Sequence, residues 1–243
     1  MNSTGTFYGI GVGPGDPELL TVKAINALKK IDVLIAPKTE KKSDSVALSI
    51  AQPYLKSSVE IIYRTFPMVK DFAESTEIFE AHKEEILKLL RGGKNVGFAT
   101  IGDPMFYSTY IYIFRLLEPC GVPIITIPGV PAFLAIAAQV GRPLAYGNDI
   151  LTIIPATAEI DAINNALDRA DSVVLMKVYK NVIPIADALV THSMIDEAIL
   201  VSRCGLDGEK IITDLKKYRQ DALNYLSTII TRKSHCKKYE SIL

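Results

Sequence analysis

The chain has 243 residues, 49% of them apolar and 22% charged, and its 27 Lys and Arg balance 27 Asp and Glu. That length suits one or two domains with cores large enough to need no staples, and the zero net charge argues against a nucleic-acid binder that works through a basic field. The 3 cysteines, Cys120, Cys204 and Cys236, are odd in number and far apart, so neither a disulfide framework nor a zinc spacing is present and a reducing, cytoplasmic setting is expected.

The first residues, MNSTGTFYG, carry neither a basic n-region nor an apolar core, so no secretory signal is expected. No apolar run approaches the roughly 20 residues of a membrane span. In chain order, Thr6 to Gly11 reads as a strand and Gly13-Pro14-Gly15-Asp16-Pro17 as a turn. Leu19 to Lys30 reads as a helix with Leu20, Ala24, Ala27 and Leu28 on one face. Asp32 to Ala36 is a second strand, stopped by Pro37; Thr39 to Asp44 is a charged loop. A helix over Val46 to Tyr54, a strand over Val59 to Ile62 and a long helix over Phe72 to Arg91 follow, the last ended by Gly92-Gly93.

Val96 to Ala99 has the continuous apolar character of a buried parallel strand. It breaks at Gly102-Asp103-Pro104, and Tyr107 onward reads as a helix. Asp103 is the sole charge between Lys94 and Arg115, suited either to capping that helix or to serving a ligand. A strand over Ile124 to Ile127 completes five strands with intervening helices. After Pro128-Gly129-Val130-Pro131 comes a short apolar helix, Ala132 to Ala138, and a break at Gly141-Arg142-Pro143. Strand, helix, strand and helix then recur from Ile150 to Leu189. Strands over Ala198 to Ser202, Lys210 to Thr213 and Tyr225 to Ile230 follow with little helix between them. The expectation is two α/β domains: residues 1–127 with a five-stranded, mostly parallel sheet, a linking region at 128–149, a mixed sheet over 150–231, and a basic tail at 232–243.

The run Gly9-Ile10-Gly11-Val12-Gly13-Pro14-Gly15-Asp16 invites a dinucleotide-binding reading, but the G-x-G-x-x-G spacing fails whether begun at Gly9 or at Gly11. Asp16 at the helix mouth also opposes a phosphate. Three Gly/Pro turns, at 13–17, 102–106 and 128–132, stand at carboxyl ends of expected strands. Their glycines suit close backbone approach to a neutral or zwitterionic ligand such as a nucleoside.

GxGPGDPELLT, a GDP after an apolar strand, and PGV before a small-residue helix together resemble the tetrapyrrole methylase family over Gly5 to about Thr231. The resemblance implies S-adenosylmethionine-dependent methyl transfer by two α/β domains with the ligand cleft between them. The stretches GTFYGIGVGPGDPELLTVKA, APKTEKKSDSVAL and GDPMFYSTY imply methylation of precorrin-2, or its cobalt form, at ring carbon 20 in cobalamin biosynthesis. The alternatives are another substrate or ring carbon, or a non-catalytic adenosine-ligand module. By position the resemblance implies cofactor contacts at Pro14, Ile101, Gly102, Asp103, Phe106, Pro131, Ala132, Met176, Lys177 and Cys204. Pro131 stands where the family commonly has a hydroxyl residue, which Pro cannot supply.

A carboxylate-rich tetrapyrrole substrate calls for cations, for which Lys38, Lys41, Lys42, Arg64, Arg142, Lys177 and Lys180 are candidates. Asp103 and Tyr107 are the candidate bases for the proton left on the methylated carbon. His82 reads as a core residue, and no His or Cys cluster marks a metal site. The resemblance also implies a homodimer without a nucleic-acid or membrane partner.

Overall fold

The structure is a computed structural model and describes residues 4–38, 45–66, 76–218 and 223–234. By its contacts the chain divides into two units, Met1–Pro131 and Ala132–Leu243. In the first unit β1 (Phe7–Gly11), β2 (Val33–Lys38), β3 (Glu60–Thr65), β4 (Val96–Thr100) and β5 (Ile124–Ile127) alternate with α1 (Val22–Leu28), α2 (Val46–Ala51), α3 (Thr76–Arg91) and α4 (Tyr110–Leu117). The strands form one five-stranded sheet in the order β3-β2-β4-β1-β5, every neighbouring pair parallel. All five residues of β4 are buried, as its unbroken apolar run requires of a central strand covered on both faces. On one face Phe7, Val33, Ile35, Val96 and Phe98 pack with Phe79, Ile86 and Leu90 of α3 and Tyr110, Ile113 and Leu117 of α4. The alternate row, with Ile10, Leu34 and Ala36, is equally buried.

Local chemistry sets the ends of these elements. Asp16 caps a 3-10 turn over Pro17–Leu19 by accepting from Glu18 N at 2.8 Å, and Thr21 caps α1 by accepting from Ala24 N at 3.1 Å. Leu20, Ala24, Ala27 and Leu28 are all buried, as their shared face predicts. Gly93, at φ +83°, ends α3 with its N–H on Leu90 O. Several boundaries differ from expectation; the first helix starts at Val22 rather than Leu19 and the third strand runs on to Thr65, and two further differences have a plain local cause. Pro37 does not stop β2, which runs to Lys38. Beyond Ile35 that strand is paired only to β3, so one side needs no N–H at Pro37. The helix after the GDP turn begins at Tyr110, because Tyr107 adopts a left-handed φ of +48° that no helix accommodates. The charged loop at Thr39–Asp44, the expected start of α3 at Phe72 and the end of the basic tail lie outside the described residues.

The second unit contains α5 (Ala132–Gln139), β6 (Leu151–Pro155), α6 (Ile160–Arg169), β7 (Ser172–Met176), α7 (Val182–Thr191), β8 (Ile199–Ser202), β9 (Lys210–Ile212) and β10 (Ser227–Arg232). Its sheet runs β6-β7-β10-β8-β9, with β6 and β7 parallel and the other pairs antiparallel. The strand-rich end of the sequence accounts for that mixture: among the described residues β8 to β10 follow one another without the helices that parallel crossovers need. Val173, Leu175, Leu200 and Ile229 pack with Ile163 and Leu167 of α6 and Ile185 and Leu189 of α7.

Candidate functional site

In the first sheet β1 lies between β4 and β5, so the loops after these three strands meet at one carboxyl edge. Val12 N donates to Thr100 O at 2.9 Å and Gly102 N to Gly13 O at 2.7 Å. Asp103 closes the group: its Oδ1 accepts from Met105 N at 2.8 Å and its Oδ2 from Gly129 N at 3.0 Å. The side chain that the sequence offers as a cap or a ligand group is thus a clamp between the β4 and β5 loops.

The glycines have a different occupant from the one expected. A Cβ at Gly129 would lie 2.1 Å from Gly102 O and 2.8 Å from Gly11 C, and one at Gly11 would lie 2.5 Å from Gly129 N. Gly9 makes room for the Tyr110 ring, whose Cζ would be 2.2 Å from a Cβ there. That ring stacks on Phe7 and bonds Thr126 Oγ1 at 2.6 Å. These glycines therefore admit the protein's own backbone and core, and the ligand edge is assembled by loops pressing on one another. No periodicity signals this, because the partners are remote in sequence.

Pro14 is buried, and Ile101, Asp103, Phe106 and Pro131 are half-buried around this edge. Gly102, at φ +70°, has Pro131 Cα 3.8 Å from where a Cβ would stand. Tyr107 is 42% exposed, packs against Phe106 at 4.6 Å between ring centres, and has its phenol pushed above the usual range by desolvation. A left-handed aromatic residue holds strain of about 1–3 kcal/mol, of the kind that gathers at ligand sites. Thr100, which sequence reasoning passed over, ends β4 at 9% exposure, and its Oγ1 has no hydrogen-bond partner. A buried hydroxyl left unpaired costs about 1–3 kcal/mol, a cost that a polar ligand removes. The only signal for it in sequence was a polar residue closing an apolar strand.

The expected cations are less available than their positions suggest. Lys38 and Arg64 do stand at the same carboxyl edge, at the ends of β2 and β3. Arg64, however, donates Nε to Glu85 Oε2 at 2.6 Å, Nη2 to Glu85 Oε1, and Nη1 to Tyr63 O at 2.7 Å. Lys38 lies over the Tyr63 ring at 5.9 Å. Lys41 and Lys42 lie outside the described residues. His82 is a packed residue, edge-on to Phe66 with Nε2 at 3.1 Å from Thr65 O.

In the second unit Met176, Lys177 and Cys204 share one sheet edge, where β7 and β8 end and β10 begins, whereas Ala132 opens α5. Lys177, Asn181 and Arg203 all have φ near +60° there, a concentration of left-handed non-glycine residues. Lys177 Nζ lies over the Tyr225 ring at 5.8 Å, and Lys180 Nζ over Tyr179 at 5.4 Å. Arg142 is at the opposite edge, bonded to Glu197 O at 3.1 Å and Oε2 at 2.9 Å just before β8 starts. The structure therefore does not bring Arg142 together with Lys177.

Cys204 touches Gln139 Oε1 at 3.6 Å, and Gln139 in turn donates to Glu209, which accepts from Gly205 N at 2.7 Å. Burial, and then the Glu209 charge, push its thiol from 9.0 up to about 11. The folded state thus keeps a proton that the unfolded state gives up first. Its contribution to stability is complete below pH 9 and is lost as pH climbs through about 11. Two results are expected: Cys204 resists alkylation at pH 8 in the native protein, and Cys204→Ser shows a shallower loss of stability between pH 9 and 11 in denaturant titrations.

Comparison with known proteins follows the same lines. The family model for Tetrapyrrole (Corrin/Porphyrin) Methylases matches residues 6–218. The cobalt-precorrin-2 C(20)-methyltransferase of Salmonella typhimurium is 38% identical over 94% of this chain and 97% of its own. The precorrin-2 C(20)-methyltransferase of a Sinorhizobium species is 30% identical over 93% of this chain and 94% of its own. A uroporphyrin-III C-methyl transferase from Thermus thermophilus, solved with S-adenosyl homocysteine, has the same fold at a TM-score of 0.68, with 22% identity over 94% of this chain and 92% of that one. A match that spans both α/β units and all three Gly/Pro loops of the first places this chain in the tetrapyrrole methylase family.

Proposed function

We propose that this protein transfers the methyl group of S-adenosylmethionine to ring carbon 20 of precorrin-2 or its cobalt form, in the biosynthesis of cobalamin. The observation that carries the reading is the 38% identity, along 94% of the chain, to a relative named for that reaction. The first sheet's edge fits such a cofactor: three loops converge there and a buried hydroxyl, Thr100 Oγ1, lacks a partner. Pro14, Ile101, Gly102, Phe106 and Pro131 would hold it there. When bound, the cofactor supplies a methyl group already activated by positive sulfur.

The protein's share is alignment, worth several kcal/mol when reacting groups are held in register. Asp103 positions the loops, since both carboxylate oxygens already accept backbone N–H groups. The Tyr107 phenol, held above its ordinary range by desolvation, stays protonated near neutral pH and serves as a donor. Neither is a ready base, so the ring proton passes to water. Lys38 meets substrate carboxylate, and Arg64 does so by exchanging Glu85. The enzyme works as a cytoplasmic homodimer. Among the described residues no helix is long and apolar enough to cross a membrane. The experiment is turnover with precorrin-2 and its cobalt form side by side. One methyl group gained per ring is expected, and no gain on either ring overturns the reading.

A further inference from the structure

Thr100 is the last residue of β4 and sits opposite Gly11 of β1. Side chains alternate along a strand, so Thr100 shares a face with Val96 and Phe98, the side covered by α3 and α4. On that face the next positions are taken by backbone: a Cβ at Gly11 would stand 2.8 Å from Gly102 O and 2.5 Å from Gly129 N. The hydroxyl thus lies beside the loop joint that Asp103 clamps, on a residue 9% exposed, and it has no partner. Ser172 Oγ is likewise unpartnered, but it lies at the amino end of β7, where no Gly/Pro loops meet. A threonine there meets no structural need that valine would not meet as well, since the residue forms no side-chain bond and closes a wholly apolar strand.

We propose that the Thr100 hydroxyl is a cofactor-binding group: it hydrogen-bonds a polar atom of the bound S-adenosyl ligand and sets the depth at which that ligand seats below the Asp103 clamp. The assignment rests on the methylase reading above and adds to it a residue outside the positions that the family resemblance supplies. The cofactor is the reactant chosen because Ile101 and Gly102, the next two residues, are its expected contacts.

The experiment compares Thr100→Val, which keeps the shape and removes the hydroxyl, with Thr100→Ser, which keeps the hydroxyl. Calorimetric titration with S-adenosylhomocysteine is paired with thermal melting of each ligand-free protein. Thr100→Val is expected to raise Kd about tenfold. Thr100→Ser is expected to stay within about threefold of the original protein. Ligand-free Thr100→Val is expected to melt no lower than the original, because it buries no unpaired hydroxyl. A clear drop in its ligand-free melting temperature would assign the hydroxyl a structural role and overturn the proposal. So would an unchanged Kd, including the case in which only the KM for the tetrapyrrole rises. Failure of the unsubstituted protein to bind S-adenosylhomocysteine would overturn the methylase reading itself, and the proposal with it.

Discussion

Asp103→Ala is expected to lower kcat/KM for the S-adenosyl cofactor by about 100-fold. The carboxylate makes two charge-assisted bonds, to Met105 N at 2.8 Å and Gly129 N at 3.0 Å, and each such bond contributes about 1.5–3 kcal/mol. Without them the exposed Met105 N–H and the part-buried Gly129 N–H lose their partners and the β4 loop is released from the β5 loop. Asp103→Asn keeps one acceptor but turns an amide N–H toward a backbone N–H, so its loss is expected to approach that of alanine. The loss should fall on cofactor affinity, and the pH dependence of kcat should keep its shape. Were Asp103 a general base, the acid limb of that profile would disappear with affinity intact. Initial rates across a pH series, with S-adenosylhomocysteine titrations of the same variants, separate the two roles.

Gly129→Ala is expected to be among the most damaging single methyl groups in the first unit. The new Cβ would lie 2.1 Å from Gly102 O and within 2.9 Å of Gly11 backbone atoms. Gly102 cannot retreat without stretching its own 2.7 Å bond to Gly13 O, and Gly129 cannot without leaving Asp103. Overpacking against backbone is expected to cost at least about 3 kcal/mol here, and binding at the edge fails with the joint. Gly102→Ala is the instructive contrast. Its φ of +70° strains alanine, but a Cβ meets nothing closer than 3.8 Å. Its cost is expected to stay at about 1–2 kcal/mol. Denaturant unfolding of the two variants checks the difference, and equal losses would mean that the backbone contact at Gly129 costs no more than the strained φ at Gly102.

The alternation of strands and helices was legible because it rests on local patterns: an apolar run such as VGFAT, a stop such as Gly93. The edge where the three Gly/Pro turns gather was legible as well, since carboxyl ends of parallel strands share one side of a sheet. What sits in the space the glycines leave was not. Tyr110 lies 101 residues from Gly9, and Gly129 lies 118 residues from Gly11, so only the folded chain shows that protein atoms take those places. The same distance problem hid Glu85 from Arg64 and Glu197 from Arg142, both of which look like free cations in sequence. Pro37 misled because its rule holds for a strand paired on both sides, and β2 is not paired on both sides there. Tyr107 misled because the helical spacing of its aromatic neighbours extends one turn beyond the helix itself.

The most direct test of the account is the position of the transferred methyl group. The protein is incubated with S-adenosylmethionine labelled with carbon-13 in its methyl group and with precorrin-2 or its cobalt form, and the product is read by carbon-13 NMR. The account predicts one new labelled methyl signal per ring, assigned to carbon 20. A labelled methyl group on any other ring carbon, or a ring recovered unmethylated beside intact cofactor, would contradict it.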